Sequence, residues 1–244
     1  MDKIRWGLLS TANINRRVIP AMRMSPRGEL VAVASRDLDK ARRYAQEWEI
    51  PQAFGSYEAM LTSGIIDAVY ISLPNHMHAE WTIQALDAGV HVLCEKPFAQ
   101  TVAEVDEMIA ASQRAQRVLA EAFMYRHHPQ TKLLGELVQR GEIGDLISVR
   151  GVFTFKVAHP DNIRLNPDLG GGSLWDVGVY PLSLAQYIMG STPDWVSASQ
   201  QIGPSGVDES LIGLLHYPNG ATAQIMSSLQ SPYFTQAEVI GTQG

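Results

Sequence analysis

The sequence has a single cysteine, Cys94, so no disulfide can form within the chain. That excludes a disulfide-held secreted scaffold and points to a reducing, cytoplasmic setting. No apolar run approaches the ~20 residues that span a bilayer, so a membrane is not expected as a partner. The opening Met1-Asp2-Lys3-Ile4 runs straight into a strand pattern, with no apolar leader and no cleavage site. Cations are few: 19 Lys and Arg against 25 Asp and Glu give a net charge of -6. A surface of that sign does not suit nucleic acid, whose phosphates call for clustered Lys and Arg. There is no internal repeat and no low-complexity tract. What is present is a 45% hydrophobic chain of 244 residues, enough for two cores.

The first half alternates short apolar runs with helical periodicity. Residues 4–9, 30–35, 68–73, 90–94 and 118–122 read as strands buried on both faces. Between them, Leu38, Ala41, Tyr44, Ala45 and Trp48 share one helical face. Thr101 with Glu104 forms a capping-box pattern, opening a helix with Val105, Met108 and Ile109 inward. Gly89 closes the helix that ends near Ala88. Pro20 predicts a kink or break in an otherwise helical stretch. Met22, Met24, Met60 and Leu61 read as core. Strand–helix alternation of this kind predicts an α/β fold, a Rossmann-type parallel sheet over residues 1–122.

Residues 123–244 read as an α+β domain with a mostly antiparallel open sheet. Leu133, Leu134, Leu137 and Val138 mark a helix that stops at Gly141. Strand-like runs follow at 146–157, 195–201, 211–217 and 221–229. Pro218-Asn219-Gly220 predicts a hairpin between the last two. A helix is expected from about Ser173 to Met189. The end, Ala237 to Gly244, reads as a strand running into a turn; a sheet left open there predicts a truncated domain.

The run Gly7-Leu8-Leu9-Ser10-Thr11-Ala12-Asn13-Ile14 stands where a glycine-rich dinucleotide loop belongs. Ser10 and Ala12 take the first two glycine positions and Asn15 the third. Small residues let the N–H groups of Ser10, Thr11, Ala12, Asn13 and Ile14 approach a pyrophosphate at a helix start. An ordinary strand–helix turn fits the loop equally well. At the end of the second strand stand Ser35 and Arg36, with Lys40 one turn on. An NAD-type site has a carboxylate there for the ribose 2′-hydroxyl. A hydroxyl and two cations suit a 2′-phosphate instead, and so NADP over NAD. A solvated helix start would also carry such cations.

Four further stretches occur in order: Ser72-Leu73-Pro74-Asn75-His76-Met77-His78, Glu95-Lys96-Pro97, Glu121-Ala122-Phe123-Met124-Tyr125-Arg126-His127-His128-Pro129, and Gly170-Gly171-Gly172-Ser173-Leu174-Trp175-Asp176-Val177-Gly178-Val179-Tyr180. With them the whole chain resembles the Gfo/Idh/MocA oxidoreductase family, nearest its branch of dimeric dihydrodiol dehydrogenases and NADP-dependent xylose dehydrogenases. The resemblance implies Leu73, Asn75 and His78 beside the nicotinamide ribose. It implies Glu95 and Lys96 near the nicotinamide, with a frequently cis bond before Pro97, and Asp176 and Tyr180 facing the same cleft. Many members carry His where this chain has Tyr180. The resemblance also implies a longer C-terminal part and a homodimer built on the open sheet.

The chemistry can be stated from the residues. Oxidising an alcohol sends a hydride to the nicotinamide and leaves a proton for a side chain. Asp176 and Tyr180, at i and i+4, share a helix face. A tyrosine hydroxyl titrates near ~10, and a Lys96 ammonium beside it favours the phenolate. Tyr180 is then the general acid/base and Lys96 its partner at the substrate oxygen. Arg126 reads as a ligand for a substrate hydroxyl or as a helix cap. The histidine pairs have no carboxylate or thiol at ligand spacing, so no metal is expected. The expectation is an NADP-dependent enzyme for a sugar, cyclic polyol or trans-dihydrodiol. The alternatives are an NADP-bound reductase of another carbonyl or imine class, and a nucleotide-sensing regulatory protein without turnover.

Overall fold

The apolar runs of the first half become one parallel sheet. In the computed structural model, which describes residues 3–244, the chain divides into a unit ending at Ala122 and a unit from Phe123 to Gly244. The first contains β1 (Ile4–Leu9), α1 (Asn15–Met24), β2 (Gly28–Ala34), α2 (Leu38–Glu47), β3 (Gln52–Phe54), α3 (Tyr57–Leu61), β4 (Ala68–Ile71), α4 (His78–Asp87), β5 (His91–Cys94), α5 (Val102–Ala115) and β6 (Leu119–Glu121). The sheet order is β3-β2-β1-β4-β5-β6, with every pairing parallel. The strand order reverses between β1 and β4, where the chain returns from the edge strand β3 to the middle of the sheet. Leu8, Leu9, Val33, Val69, Tyr70 and Ile71 are buried on both faces of this sheet, as helix cover on both sides requires.

Local signals hold at most positions. Thr101 and Glu104 cap α5 reciprocally, and Gly89 follows α4 at φ 79°. Three expectations need correction. α1 is continuous through Pro20, so the helix does not break there; the ring sits on the exposed side. Ile109 is 43% exposed and Ala111 is buried in its place, because the inward stripe of α5 follows Val105, Met108 and Ala111. Met24, the last residue of α1, is exposed rather than core.

The second unit contains α6 (Pro129–Gln139), β7 (Leu146–Thr154), α7 (Val179–Met189), β8 (Trp195–Ile202), β9 (Asp208–His216), β10 (Thr222–Ser228) and β11 (Phe234–Gly241). Its sheet runs β11-β7-β10-β9-β8. Only the β7–β10 pairing is parallel. β9 and β10 form the hairpin expected at Pro218-Asn219-Gly220, with Gly220 at φ 84°. One face packs under α7: Val149, Leu211, Leu215, Ala223 and Ile225 meet Ala185 and Ile188 in one core. The other face leaves Ile212 and Leu214 of β9 exposed. Among the described residues, no helix is long and apolar enough to cross a membrane.

Candidate active site

The strand exits of the first unit carry most of the residues singled out above. Ser10 leaves β1 at φ 122°, a region that costs an L-residue about 1–3 kcal/mol. This is the first-glycine position of the loop, and the backbone shows why glycine belongs there. Serine holds it through its hydroxyl. Ser10 Oγ accepts the Ala12 N–H at 3.1 Å and lies 2.9 Å from Ser72 Oγ, at the exit of β4. Asn15, at the third-glycine position, is fully buried. Its Nδ2 donates to the Ser10 carbonyl at 2.9 Å, and its Oδ1 accepts from Ser72 Oγ at 2.7 Å. Thr11, Ala12 and Ile14 are half-buried and Asn13 is exposed. No side chain caps α1, and its first turn holds no acid, so its positive end is open to an anion.

At the exit of β2, Ser35 is buried while Arg36 and Lys40 are exposed. Asp37, absent from the residues picked out by sequence, caps α2: its Oδ1 accepts N–H groups from Asp39 at 2.9 Å and Lys40 at 3.1 Å. The Lys40 N–H first, then that of Asp39, holds this carboxyl below its ordinary range against desolvation. The N-cap preference for Asp before a helix was the available signal. Arg36 lies at the buried Tyr57 hydroxyl, whose pKa burial raises and Arg36 opposes.

The exits of β4 and β5 meet through His78. The ring is fully buried. Nδ1 lies 2.7 Å from the Pro97 carbonyl and Nε2 2.9 Å from that of Leu73. Burial lowers the His78 pKa, against the two carbonyls, which favour its proton. Asn75 opens a short 3-10 turn to Met77. Glu95 accepts the Tyr70 hydroxyl and, at 3.2 Å, the Lys96 N–H. The Lys96-Pro97 bond is cis. Cys94 lies buried in β5, and desolvation pushes its thiol up.

In the second unit the segment before α7 departs from the expected α-helix. Residues Leu174–Gly178 form a π turn that runs into α7. Its start is fixed from outside: Asp208 Oδ2 accepts Ser173 Oγ at 2.7 Å and the Leu174 N–H at 2.8 Å. Asp176 and Tyr180 therefore flank a π-to-α junction and not two turns of one α-helix, which alters the shared-face argument. Asp176 Oδ2 receives Arg164 Nε at 2.6 Å, and its side chain is 13% exposed. Arg164 stacks over Phe155. Neither Arg164 nor Asp208 was found from the sequence, where only a distant loop and strand connect them to the site. The glycines before the turn have steric reasons. A Cβ on Gly171 would lie 2.5 Å from the Arg164 carbonyl; one on Gly172, at φ 123°, would lie 2.2 Å from Asp208 Oδ1.

Tyr180 is half-buried with its ring among Phe123, Tyr125 and Phe153, at centroid distances of 5.6, 6.0 and 5.3 Å. Its hydroxyl lies 3.9 Å from Met124 Sδ. Arg126 is tied to α7. Its Nε donates to Ser183 Oγ at 3.1 Å and its Nη2 to the Ser183 carbonyl at 3.2 Å. Its guanidinium also covers Phe123 and Tyr187. Asp176, Tyr180 and Arg126 thus gather around the start of α7. Ser10 to Ile14, Ser35, Arg36, Lys40, Leu73, Asn75, His78, Glu95 and Lys96 stand at strand exits of the first unit.

In a doubly wound sheet, ligands bind beyond the carboxyl ends of the strands where their order reverses. That point lies between β1 and β4, where Ser10, Asn15 and Ser72 interlock. Residues 4–123 match the oxidoreductase family with an NAD-binding Rossmann fold, which makes this an NAD(P)-binding oxidoreductase. Residues 131–244 match the GFO/IDH/MocA C-terminal domain. The chain belongs to the Gfo/Idh/MocA family. It is 44% identical to D-xylose 1-dehydrogenase (NADP(+)) 2 of Haloferax volcanii over 98% of this chain and 74% of that one. It is 36% identical to trans-1,2-dihydrobenzene-1,2-diol dehydrogenase of Mus musculus, over 99% of this chain and 73% of that one. A 3-ketoreductase from Actinomadura kijaniata, solved with NADP and TDP-benzene, superposes with a TM-score of 0.93 at 33% identity, covering 99% of this chain and 74% of that one.

The glycine geometry makes a direct prediction. Gly172→Ala should destabilise the second unit by about 2–4 kcal/mol in urea unfolding, through backbone strain and the clash with Asp208. Gly190→Ala is the control: also at positive φ, but with nothing within 4 Å of its Cβ, it should cost only about 1 kcal/mol. Equal costs would show that the approach to Asp208 adds nothing.

Proposed function

We propose that this chain is an NADP-dependent oxidoreductase that moves a hydride between nicotinamide and the CH–OH carbon of a sugar, cyclic polyol or trans-dihydrodiol. The exit of β2 carries the cofactor reading. Ser35, Arg36 and Lys40 offer a hydroxyl and two cations to a 2′-phosphate. The carboxylate that follows, Asp37, is engaged as the α2 cap. The NADP named for the xylose dehydrogenase and bound to the ketoreductase points the same way. The substrate reading rests on relatives named for a sugar and for a dihydrodiol.

The nicotinamide supplies the hydride acceptor or donor. Ser10, Thr11, Ala12, Asn13 and Ile14 would hold the pyrophosphate at the uncapped start of α1, whose lack of a side-chain cap and of first-turn acid fits an anion. Leu73, Asn75, Glu95 and Lys96 would hold the nicotinamide ribose, with His78 buried behind them. Tyr180 takes the alcohol proton in oxidation and returns it in reduction. Lys96 donates to the substrate oxygen and favours the Tyr180 phenolate. Asp176, held by Arg164, accepts from a substrate hydroxyl. Arg126 has N–H groups beyond those on Ser183 with which to donate to another. The exposed Ile212 and Leu214 of β9 support a homodimer through the outer sheet face. The lone buried Cys94 supports a cytoplasmic setting.

Three measurements test this: cofactor affinity, turnover and the pH profile of oxidation. Arg36→Ala should weaken NADP about 10- to 100-fold, the worth of a charge-assisted contact, and leave NAD binding unchanged. Wild-type protein that binds NAD as tightly as NADP would overturn the cofactor reading. Tyr180→Phe should lower turnover roughly 10²- to 10⁴-fold with little change in NADP affinity. Oxidation by the wild type should rise with pH as Tyr180 ionises. Lys96→Met removes the cation that favours the phenolate, so that limb should move to higher pH. Unchanged turnover in Tyr180→Phe, where chemistry limits the rate, would remove Tyr180 from the mechanism.

A further inference from the structure

His78 opens α4, and its ring reaches two loops at once. The Leu73 carbonyl, 2.9 Å from Nε2, belongs to the exit of β4. The Pro97 carbonyl, 2.7 Å from Nδ1, belongs to the exit of β5. β4 and β5 are hydrogen-bonded neighbours, so the imidazole spans the gap between adjacent strand exits. A carbonyl only accepts, so each contact calls for a ring N–H. The protonated ring donates to both carbonyls; the neutral ring donates to one and turns a nitrogen lone pair toward the other, which then accepts nothing from it. Burial, with the Lys96 and His76 charges, favours the neutral ring. His78 is 0% exposed, so neither loop shifts without opening a void or stranding a buried carbonyl. Asn75 stands two residues beyond Leu73, and Lys96 directly precedes Pro97.

We propose that His78 is a positioning residue. By joining the Leu73 and Pro97 carbonyls it sets the separation of the Asn75 turn and the Lys96 turn, and so the aim of the Lys96 ammonium. The inference rests on the reading of Asn75 and Lys96 as residues on the nicotinamide side. Buried as it is, His78 acts through these turns and not by touching substrate.

The test uses the whole chain with NADPH, whose nicotinamide fluoresces and whose phosphates belong to the loop at residues 10–14. His78→Phe keeps a ring and removes both nitrogens. Emission from bound NADPH should change and kcat, on the best substrate of a sugar, polyol and dihydrodiol panel, should fall about 10- to 100-fold, as for a displaced catalytic group. NADPH affinity should stay within about threefold, since the phosphate loop is untouched. His78→Gln, which keeps N–H donors, should recover most of both signals. Wild-type emission and kcat in His78→Phe would overturn the inference. So would a His78→Gln protein no better than His78→Phe, since the position would then matter for packing alone. Where His78→Phe does not fold, His78→Asn decides: its shorter amide reaches one loop, so kcat should fall at unchanged NADPH affinity, and wild-type kcat would overturn the proposal. A wild-type chain that binds no NADPH would sink the cofactor reading with it; NADPH that binds with emission and kcat indifferent to His78 would sink this inference alone.

Discussion

A polar group taken out of water must find its hydrogen bonds inside the protein, and the first unit is organised around that constraint at its strand exits. Asn15 and His78 are both fully buried. Asn15 joins the exit of β1 to that of β4 through Ser10 and Ser72. His78 joins the exit of β4 to that of β5. Three consecutive strands of the sheet are thus linked at one end, and it is the end where a doubly wound sheet binds its ligand. The loop does without the usual glycines because these bonds hold its backbone. Ser10 remains at φ 122°, a strain that the surrounding contacts offset.

The second unit solves a similar problem with charge. The π turn at Leu174–Gly178 begins where Asp208 takes an N–H and a hydroxyl. Arg164 holds Asp176 in place two residues further on. Gly171 and Gly172 let the loop pass close enough for both contacts. The result is a carboxylate and a tyrosine at the start of α7, with Tyr180 packed among aromatic rings that hold it in one orientation. Arg126, bound to Ser183 and stacked on two rings, fixes the turn that leads into this unit.

The fold was largely legible in the sequence because buried strands need continuous apolar runs, and these stand at 4–9, 68–73 and 90–94 between helical stripes. β3 was not legible: three residues, one of them Gln52, carry no periodicity. The π turn was not legible either, since its sequence matches an α-helix and Asp208, a residue of β9, sets its geometry. At the site, motif order located the strand exits and the start of α7. It did not reveal what each residue does there. His78 reads in a motif as a residue beside the cofactor; its full burial and its contacts with the Leu73 and Pro97 carbonyls are set by the fold and were not in the motif. Arg164 lies in a single 3-10 turn, Ile163–Leu165, too short to show a period in the sequence, and its pairing with Asp176 depends on the path of the glycines between them.

On the proposed reading, the exits of β1, β4 and β5 form one cradle for a nicotinamide dinucleotide. Amide hydrogen exchange with and without NADPH tests it most directly. Exchange should slow in three separate segments, residues 10–14, 72–78 and 95–96, on addition of NADPH, with little change in β3 or along the outer end of α5. Protection confined to other parts of the first unit, with those three segments unchanged, would contradict it.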